Sequence, residues 1–345
     1  MVKGKVSCII ASYNTPNIYL VEAVESILNQ TYQNLELIVV DDGSQVLVKD
    51  VLKDINDDRL IILTNETNLG VTKSRNKAME IMSGEFMAVM DADDISDKTR
   101  FEKEVKYLQE NSNCDLVSCQ MAFLTNDNRK NPWIKIPKST QEYLSWLFWD
   151  NSRPFPHGPA MIRNSFLNKN AIVYDENYKK ALDYRLWVDC ARHDGIFHIL
   201  DEYLYLYRVH SGQISQLTRK DQIYFAERIC LDQLQYLKIN PTETEEKIHL
   251  CLRDSEPGAT IDKIKEWKNK IILANEKYEY CDIRLFKNEV NYRYFKLCYK
   301  EFLLRKNKEY RLEFIKSLSF CSIYKSIKAI CRTNFDKKHA KTLKV

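Results

Sequence analysis

The sequence Gly84-Glu85-Phe86-Met87-Ala88-Val89-Met90-Asp91-Ala92-Asp93-Asp94 joins a short uncharged apolar run to three carboxylates. Bounded by a glycine and too short for a helix, residues 86–90 read as a buried strand. Its carboxyl end then lies at the mouth of a sheet, where open α/β folds bind their ligands. Asp91 and Asp93 stand two apart, so both face one cation only if the strand ends between them. Hard oxygen ligands of this kind suit Mg²⁺ or Mn²⁺ carrying a diphosphate. The same residues also suit an Asp-rich loop that leads to a helix N-cap at Ser96 or Asp97.

Toward the amino terminus the pattern repeats. Residues 6–11 read as a strand, and residues 19–30 carry Leu20, Val24, Ile27 and Leu28 at helical spacing. A second strand at 35–40 ends in Asp41-Asp42-Gly43-Ser44, and helix, strand and helix follow at 46–55, 60–63 and 71–82. Such alternation predicts parallel βαβ units with right-handed crossovers, hence a doubly wound α/β sheet. At the ends of the first two strands, the Tyr13 ring could lie against a nucleobase and a carboxylate of 41–44 could accept from a base N–H or a sugar hydroxyl. Packing and helix capping are the structural alternatives.

From Asp115 the signals thin to a strand at 116–123, a polar loop to about 138, and the proline-rich loop Arg153-Pro154-Phe155-Pro156-His157-Gly158-Pro159. A strand at 160–162, a helix at 181–192 and one or two strands at 196–207 follow. Beyond Arg219 the chain reads as helix after helix. The expected division is therefore an α/β domain over 1–220 and a helical region over 221–345.

The 345 residues carry a formal net charge of +4. Residues 301–345 hold twelve Lys or Arg against four Asp or Glu, leaving the body mildly acidic. A basic tail points to an anionic surface, and the apolar residues interleaved through 310–335 favour lipid over nucleic acid. Its structural alternative is a helix packed on the catalytic domain. The ten cysteines form no C-x-x-C pair, which fits reduced thiols and argues against disulfides or a zinc site. With neither a signal-peptide pattern nor a long apolar run, the expectation is a cytoplasmic protein, peripheral at the cytoplasmic face of the membrane.

Residues 6–14, Val40-Asp41-Asp42-Gly43-Ser44, Asn68-Leu69-Gly70 with Ser74-Arg75-Asn76, and Asp91-Ala92-Asp93-Asp94 together resemble the amino-terminal half of family 2 glycosyltransferases. The resemblance covers roughly residues 5–215 in order and spacing, and it implies the GT-A fold: a Rossmann-like mixed sheet flanked by helices. By that resemblance Tyr13 and Asp42 contact the base or ribose of a nucleoside diphosphate sugar, with uridine the expected nucleoside. Ala11 stands where some relatives carry a hydroxyl residue facing the base. Arg75 lies near the sugar or diphosphate, and Asp91, Ala92 and Asp93 form the D-x-D element whose second carboxylate binds Mn²⁺ or Mg²⁺. Asp94 extends the acidic cluster.

In the second half, Ala181-Leu182-Asp183-Tyr184-Arg185-Leu186-Trp187 resembles the family's E-D-x-x-L-W element. Asp183 then takes the acceptor proton, while Leu182 replaces the acidic residue before it. The segment 207–215 resembles Y-R-x-H-x-x-x-x-S, so His210 ligates the metal or donates to the diphosphate and Arg208 supplies a permanent cation. His157-Gly158-Pro159 falls where relatives shape the acceptor pocket. What this implies is an inverting transfer from a nucleotide sugar to a glycan or lipid-linked acceptor in surface polysaccharide or lipopolysaccharide-type synthesis. A homo-oligomer is left open.

Three other classes fit less well. A dinucleotide-dependent oxidoreductase needs G-x-G-x-x-G after the first strand, and residues 10–14 contain no glycine. A metal-dependent nucleotidyltransferase would bring a basic, glycine-rich phosphate loop near the amino terminus, which is missing. A non-catalytic membrane-associated protein would have no use for Asp91, Asp93 and Asp183 together.

Overall fold

The computed structural model describes residues 1–124, 129–130, 134, 139–150, 155–210, 218–256 and 258–317. The chain divides into two compact units, Met1–Ile229 and Cys230–Val345. The division falls inside a helix, Arg219–Asp232, that continues past the change of character seen in the sequence near residue 220.

The first unit is built on β1 (Val2–Ser12), α1 (Asn17–Leu28), β2 (Leu35–Asp41), α2 (Val48–Val51), β3 (Leu60–Thr64), α3 (Val71–Ile81) and β4 (Gly84–Asp91). There follow β5 (Ile95–Ser96), α4 (Arg100–Glu110), β6 (Leu116–Leu124), β7 (Arg129–Lys130), α5 (Thr140–Leu147), β8 (Met161–Arg163), α6 (Asn164–Lys169), α7 (Leu182–Arg192), β9 (Phe197–Arg208) and, as far as Ile229, α8 (Arg219–Asp232). The strands form one sheet in the order β3-β2-β1-β4-β8-β6-β9-β5, with β7 paired on β6.

The first four strands are parallel, as the alternation of apolar runs and helices requires. Every residue of β2 is buried and β4 is buried from Phe86 to Met90, so both faces are covered. Side chains such as Phe86, Met90, Val39 and Leu37 are fully enclosed, and burial of each stabilises by about 1.5–3 kcal/mol. α1 closes one face with Leu20, Ala23, Val24, Ile27 and Leu28. The sheet departs from the all-parallel pattern that alternation alone implies at β8, a three-residue strand antiparallel to both β4 and β6. The mixed sheet flanked by helices that the family resemblance implied, with a helical region after it, is what the structure shows.

The register of the parallel strands fixes the position of the site. Ala11 of β1 lies beside Val40 of β2 and Asp91 of β4, and Ser12 lies beside Asp41. The carboxyl ends of three parallel strands therefore finish level with one another.

The second unit contains α9 (Glu243–Asp254), α10 (Ile261–Tyr278), α11 (Ile283–Tyr299) and α12 (Arg311–Ser317). A capping box between Thr242 and Glu245 starts α9. Trp267 Nε1 donates to His249 Nδ1 across 3.2 Å in its interior, and burial pushes that imidazole down to about 3. No described helix is long and apolar enough to cross a membrane. The eight described cysteines are buried free thiols, as their spacing in the sequence suggested.

Candidate active site

The two acidic residues ending β2 do different work. Asp41 is fully buried and spends its carboxylate on its own loop, accepting from Ser44 N and Val48 N at 2.9 Å each. It caps the turn into α2. Asp42 reaches sideways instead: Oδ1 accepts from Asn65 Nδ2 at 2.9 Å and Leu69 N at 2.8 Å, and Oδ2 from Gly70 N at 2.9 Å. It thereby fixes the loop that enters α3. Gly43, at φ +78°, is held where a Cβ would lie 2.6 Å from the Thr67 carbonyl carbon, so only glycine fits.

The end of β1 is tied to the same turn. Asn14 N donates to Ser44 Oγ at 3.0 Å, and Asn14 Oδ1 accepts from Gln45 N at 2.9 Å. Between these anchors Tyr13, just past the end of β1, is 47 % exposed, while Ala11 is half-buried in the strand.

β4 ends at Asp91, and Asp94 N turns back to Asp91 O at 3.4 Å. The strand thus stops between Asp91 and Asp93, the condition for both carboxylates to serve one mouth. Their partners differ. Asp91 Oδ1 accepts from Arg75 Nη2 at 2.7 Å, and Arg75 is a buried side chain of α3. Asp93 Oδ2 lies 2.9 Å from His210 Nε2. The Ala92 methyl is buried in the core, leaving only its backbone to a ligand. Burial pushes the Asp91 carboxyl up, Arg75 opposes that shift, and Asp93 and Asp183 add to it.

Arg208 clamps this turn. Its backbone N–H donates to Asp94 Oδ1 and its Nε to the Asp93 carbonyl, both at 2.8 Å, while Nη2 pairs with Glu22 of α1. The guanidinium lies 4.3 Å from the centroid of the Tyr19 ring, which also neighbours the His210 ring at 5.4 Å. In this geometry Arg208 braces the turn that follows β4. Asp94, fully buried beneath it, is pushed well above the usual carboxylate range by burial and by Asp91 and Asp93.

Asp183 sits in the first turn of α7, after Ala181 in a left-handed conformation. It is half-buried and near enough to act electrostatically on Asp91 and on Tyr174. The strap before α7 is laced to α3: Asn76 exchanges bonds of 2.8 and 3.0 Å with the Tyr174 backbone, and Thr72 Oγ1 donates to Tyr178 O at 3.1 Å. The helix carrying Arg75 and the helix carrying Asp183 are therefore positioned together.

Four further residues surround this cluster: Tyr205 and Tyr174, which the sequence did not single out, and His157 and Gly158 of the loop that the resemblance places at the acceptor pocket. Tyr205, buried in β9, accepts from Asp91 N at 3.2 Å. Tyr174 lies under the Arg75 guanidinium, 5.6 Å from ring centroid to Cζ, and its hydroxyl bonds His157 Nε2 at 3.0 Å. Burial and Arg75 hold His157 well below its ordinary value, hence neutral. Gly158 brings the backbone of that loop so close that a Cβ would stand 2.7 Å from Tyr205 Cζ and 3.1 Å from Asp91 Oδ2.

Among the described residues no three His, Cys, Asp or Glu side chains converge as a closed metal cage. Asp93 Oδ2 and His210 Nε2 do converge as a pair. One carboxylate and one imidazole suit a Mn²⁺ or Mg²⁺ that draws its other ligands from substrate phosphates and water. Residues 211–215 of the Y-R-x-H segment and the tail from 318 lie outside the described residues.

Parallel strands ending level, with acidic loops at their carboxyl ends and a mixed second half in which β8 runs antiparallel while β6 and β9 run parallel, make up the GT-A fold that the sequence resemblance implied. Solved structures agree on the fold: S. aureus TarS 1-349 in complex with UDP-GlcNAc matches with a TM-score of 0.56 at 19 % identity, over 91 % of this chain and 89 % of that one. The family model for Glycosyl transferase family 2 matches residues 7–170. An uncharacterized glycosyltransferase of Methanocaldococcus jannaschii is 34 % identical over 229 residues, covering 65 % of this chain and 78 % of that protein. A UDP-Glc:alpha-D-GlcNAc-diphosphoundecaprenol beta-1,3-glucosyltransferase of Escherichia coli is 28 % identical over 230 residues, covering 63 % and 82 %. The chain belongs to glycosyltransferase family 2.

Proposed function

We propose that the protein transfers a hexose or N-acetylhexosamine from a UDP-sugar to a hydroxyl of a glycan or lipid-linked acceptor, with inversion, in surface-polysaccharide or lipopolysaccharide-type synthesis. One observation carries the reading: the Arg75–Asp91 and Asp93–His210 pairs share the turn after β4, and Asp183 lies within electrostatic reach of it. UDP is supported by the TarS complexes with UDP and UDP-GlcNAc, and a lipid-linked acceptor by the name of the E. coli relative.

In this reading Tyr13 stacks on the uracil. Asp42 accepts three N–H donors from its own loop, and a carboxylate has about four acceptor positions, so a base N–H would be the fourth. Ala11, beside Asp91 in the sheet, keeps the floor under the ribose low. Asp93 and His210 would hold Mn²⁺ or Mg²⁺ with the diphosphate. Bound there, the ion would supply positive charge for the departing nucleoside diphosphate. Arg75 orients Asp91 toward the donor, and Arg208 keeps the turn in shape. Asp183 accepts the acceptor's proton as its oxygen attacks the anomeric carbon, and a single displacement turns an α-linked donor into a β-glycoside.

The test is a nucleotide-sugar screen by thermal unfolding, with and without Mn²⁺, followed by transfer assays on the best donor. Asp183→Asn should keep donor binding and lose transfer. Full transfer by that variant would remove Asp183 from its role, and no stabilisation by any nucleotide sugar would remove the donor assignment.

A further inference from the structure

The last described segment of the second unit has a fixed inner side and an unusual outer one. Tyr310 and Glu301 are buried, and Phe314 lies 5.8 Å from Phe295 and 5.7 Å from Phe302, ring centroid to centroid. Glu313 accepts from Lys265 at 2.8 Å and Tyr294 Oη at 3.0 Å. These contacts seat α12 on α11 and decide which side chains face outward.

Those that do are aliphatic and cationic. Leu312 and Ile315 share one face of α12 at 67 % and 53 % exposure, and Leu303 and Leu304 form a second pair at 48 % and 50 %. Lys306, Lys308, Arg311 and Lys316 are exposed among them, with Glu309 as the single exposed acid of 303–316. The sequence beyond carries seven Lys or Arg and one Asp over 318–345. Exposed apolar residues scattered singly need no explanation. Four between Leu303 and Ile315, interleaved with cations on a seated segment, are not scattered.

We infer that this outer face docks on an anionic bilayer, the four aliphatic side chains entering the acyl boundary and the flanking Lys and Arg reaching phosphate headgroups. A second copy of the chain is a poor occupant, because pairing this face with itself sets cation against cation. Nucleic acid would leave the aliphatic side chains in water. The inference goes beyond the transferase reading and is measured without donor or acceptor, so either can fail alone.

The experiment is vesicle co-sedimentation of the full chain, on phosphatidylcholine alone and on phosphatidylcholine mixed with phosphatidylglycerol. The expected result is salt-sensitive binding to the mixed vesicles only, weakened about tenfold or more in a Leu312→Ser/Ile315→Ser double variant. A Lys308→Glu/Arg311→Glu variant, which leaves the aliphatic residues in place, should weaken it similarly and covers the case in which the first variant unfolds. Wild-type chain that ignores the mixed vesicles, binds both kinds equally, or binds as well after both pairs of substitutions would overturn the inference. So would sedimentation showing a dimer that the Leu312→Ser/Ile315→Ser change dissociates while vesicle binding stays intact.

Discussion

Arg75 Nη2 donates to Asp91 Oδ1 across 2.7 Å, joining the buried face of α3 to the carboxyl end of β4. A buried cation on a helix that otherwise packs with Thr72, Ser74 and Ala78 is costly unless paired, and this carboxylate is the pair. Arg75 also opposes the burial that pushes the Asp91 carboxyl up. Replacing Arg75 with Ala should lower kcat/KM about 100-fold or more, the scale for losing one preorganised charged donor. It should also move the acid limb of the pH profile to higher pH, because Asp91 then protonates more readily. An unmoved acid limb in the variant would separate Arg75 from the ionisation of Asp91.

The Arg208 clamp makes a second prediction. Its bonds to the Asp93 carbonyl and to Asp94 hold the turn whose carboxylate meets His210, and Glu22 holds its far nitrogen. Glu22→Gln removes charge from outside the turn while keeping an acceptor there. Donor KM in the presence of Mn²⁺ should rise about tenfold with kcat changed less, as for loss of one charge-assisted bond. Arg208→Lys should be worse, because an ammonium lacks the planar fork that reaches the Asp93 carbonyl and Glu22 together. Equal effects on KM and kcat in both variants would point to general destabilisation instead.

The parallel half of the sheet was legible because each strand is an unbroken apolar run that ends in polar turn residues, and several such ends in series are hard to produce by chance. The roles of its acidic residues were less so. Asp41 and Asp42 are neighbours of the same type, and only the tertiary positions of Val48, Leu69 and Gly70 decide that one caps a helix and the other braces a loop. A strand at 160–162 was legible, but its antiparallel place between β4 and β6 was not, because three residues do not encode a direction. Tyr205 and Tyr174 are buried aromatics, and the work of their hydroxyls at Asp91 and His157 depends on partners brought close only by the fold.

Gly158 admits no side chain where it faces Tyr205 and Asp91. Gly158→Ala must displace the tyrosine ring or the loop, a cost of about 1–3 kcal/mol for overpacking. Because the ring carries the acceptor for Asp91 N, the shift should reach the site and lower transfer beyond what lost stability explains. Tyr205→Phe removes the oxygen and part of the clash. The double variant should therefore be less destabilised than the sum of the single ones, a coupling that chemical denaturation of all four proteins measures. Strict additivity would mean that the loop moves rather than the ring.

Arg100 and Glu104, one turn apart on α4, are both fully buried, with Arg100 Nη2 donating to Val89 O at 3.1 Å and Nε 3.4 Å from Glu104 Oε2. Burial pushes the Glu104 carboxyl from 4.5 up to about 8 despite the cation beside it. The folded chain therefore holds a proton that the unfolded chain has released over this interval. The stability this contributes is fully present below pH 4.5 and is lost as pH rises through about 8. Glu104→Gln keeps the shape and a neutral acceptor for Arg100 while removing the titration. The thermal stability of the wild-type chain should decline from about pH 5 toward about pH 8, and the variant should decline less and be at least as stable at the upper end. Parallel curves for the two proteins would show that Glu104 is ionised throughout and that the Arg100 charge, rather than a proton, compensates its burial.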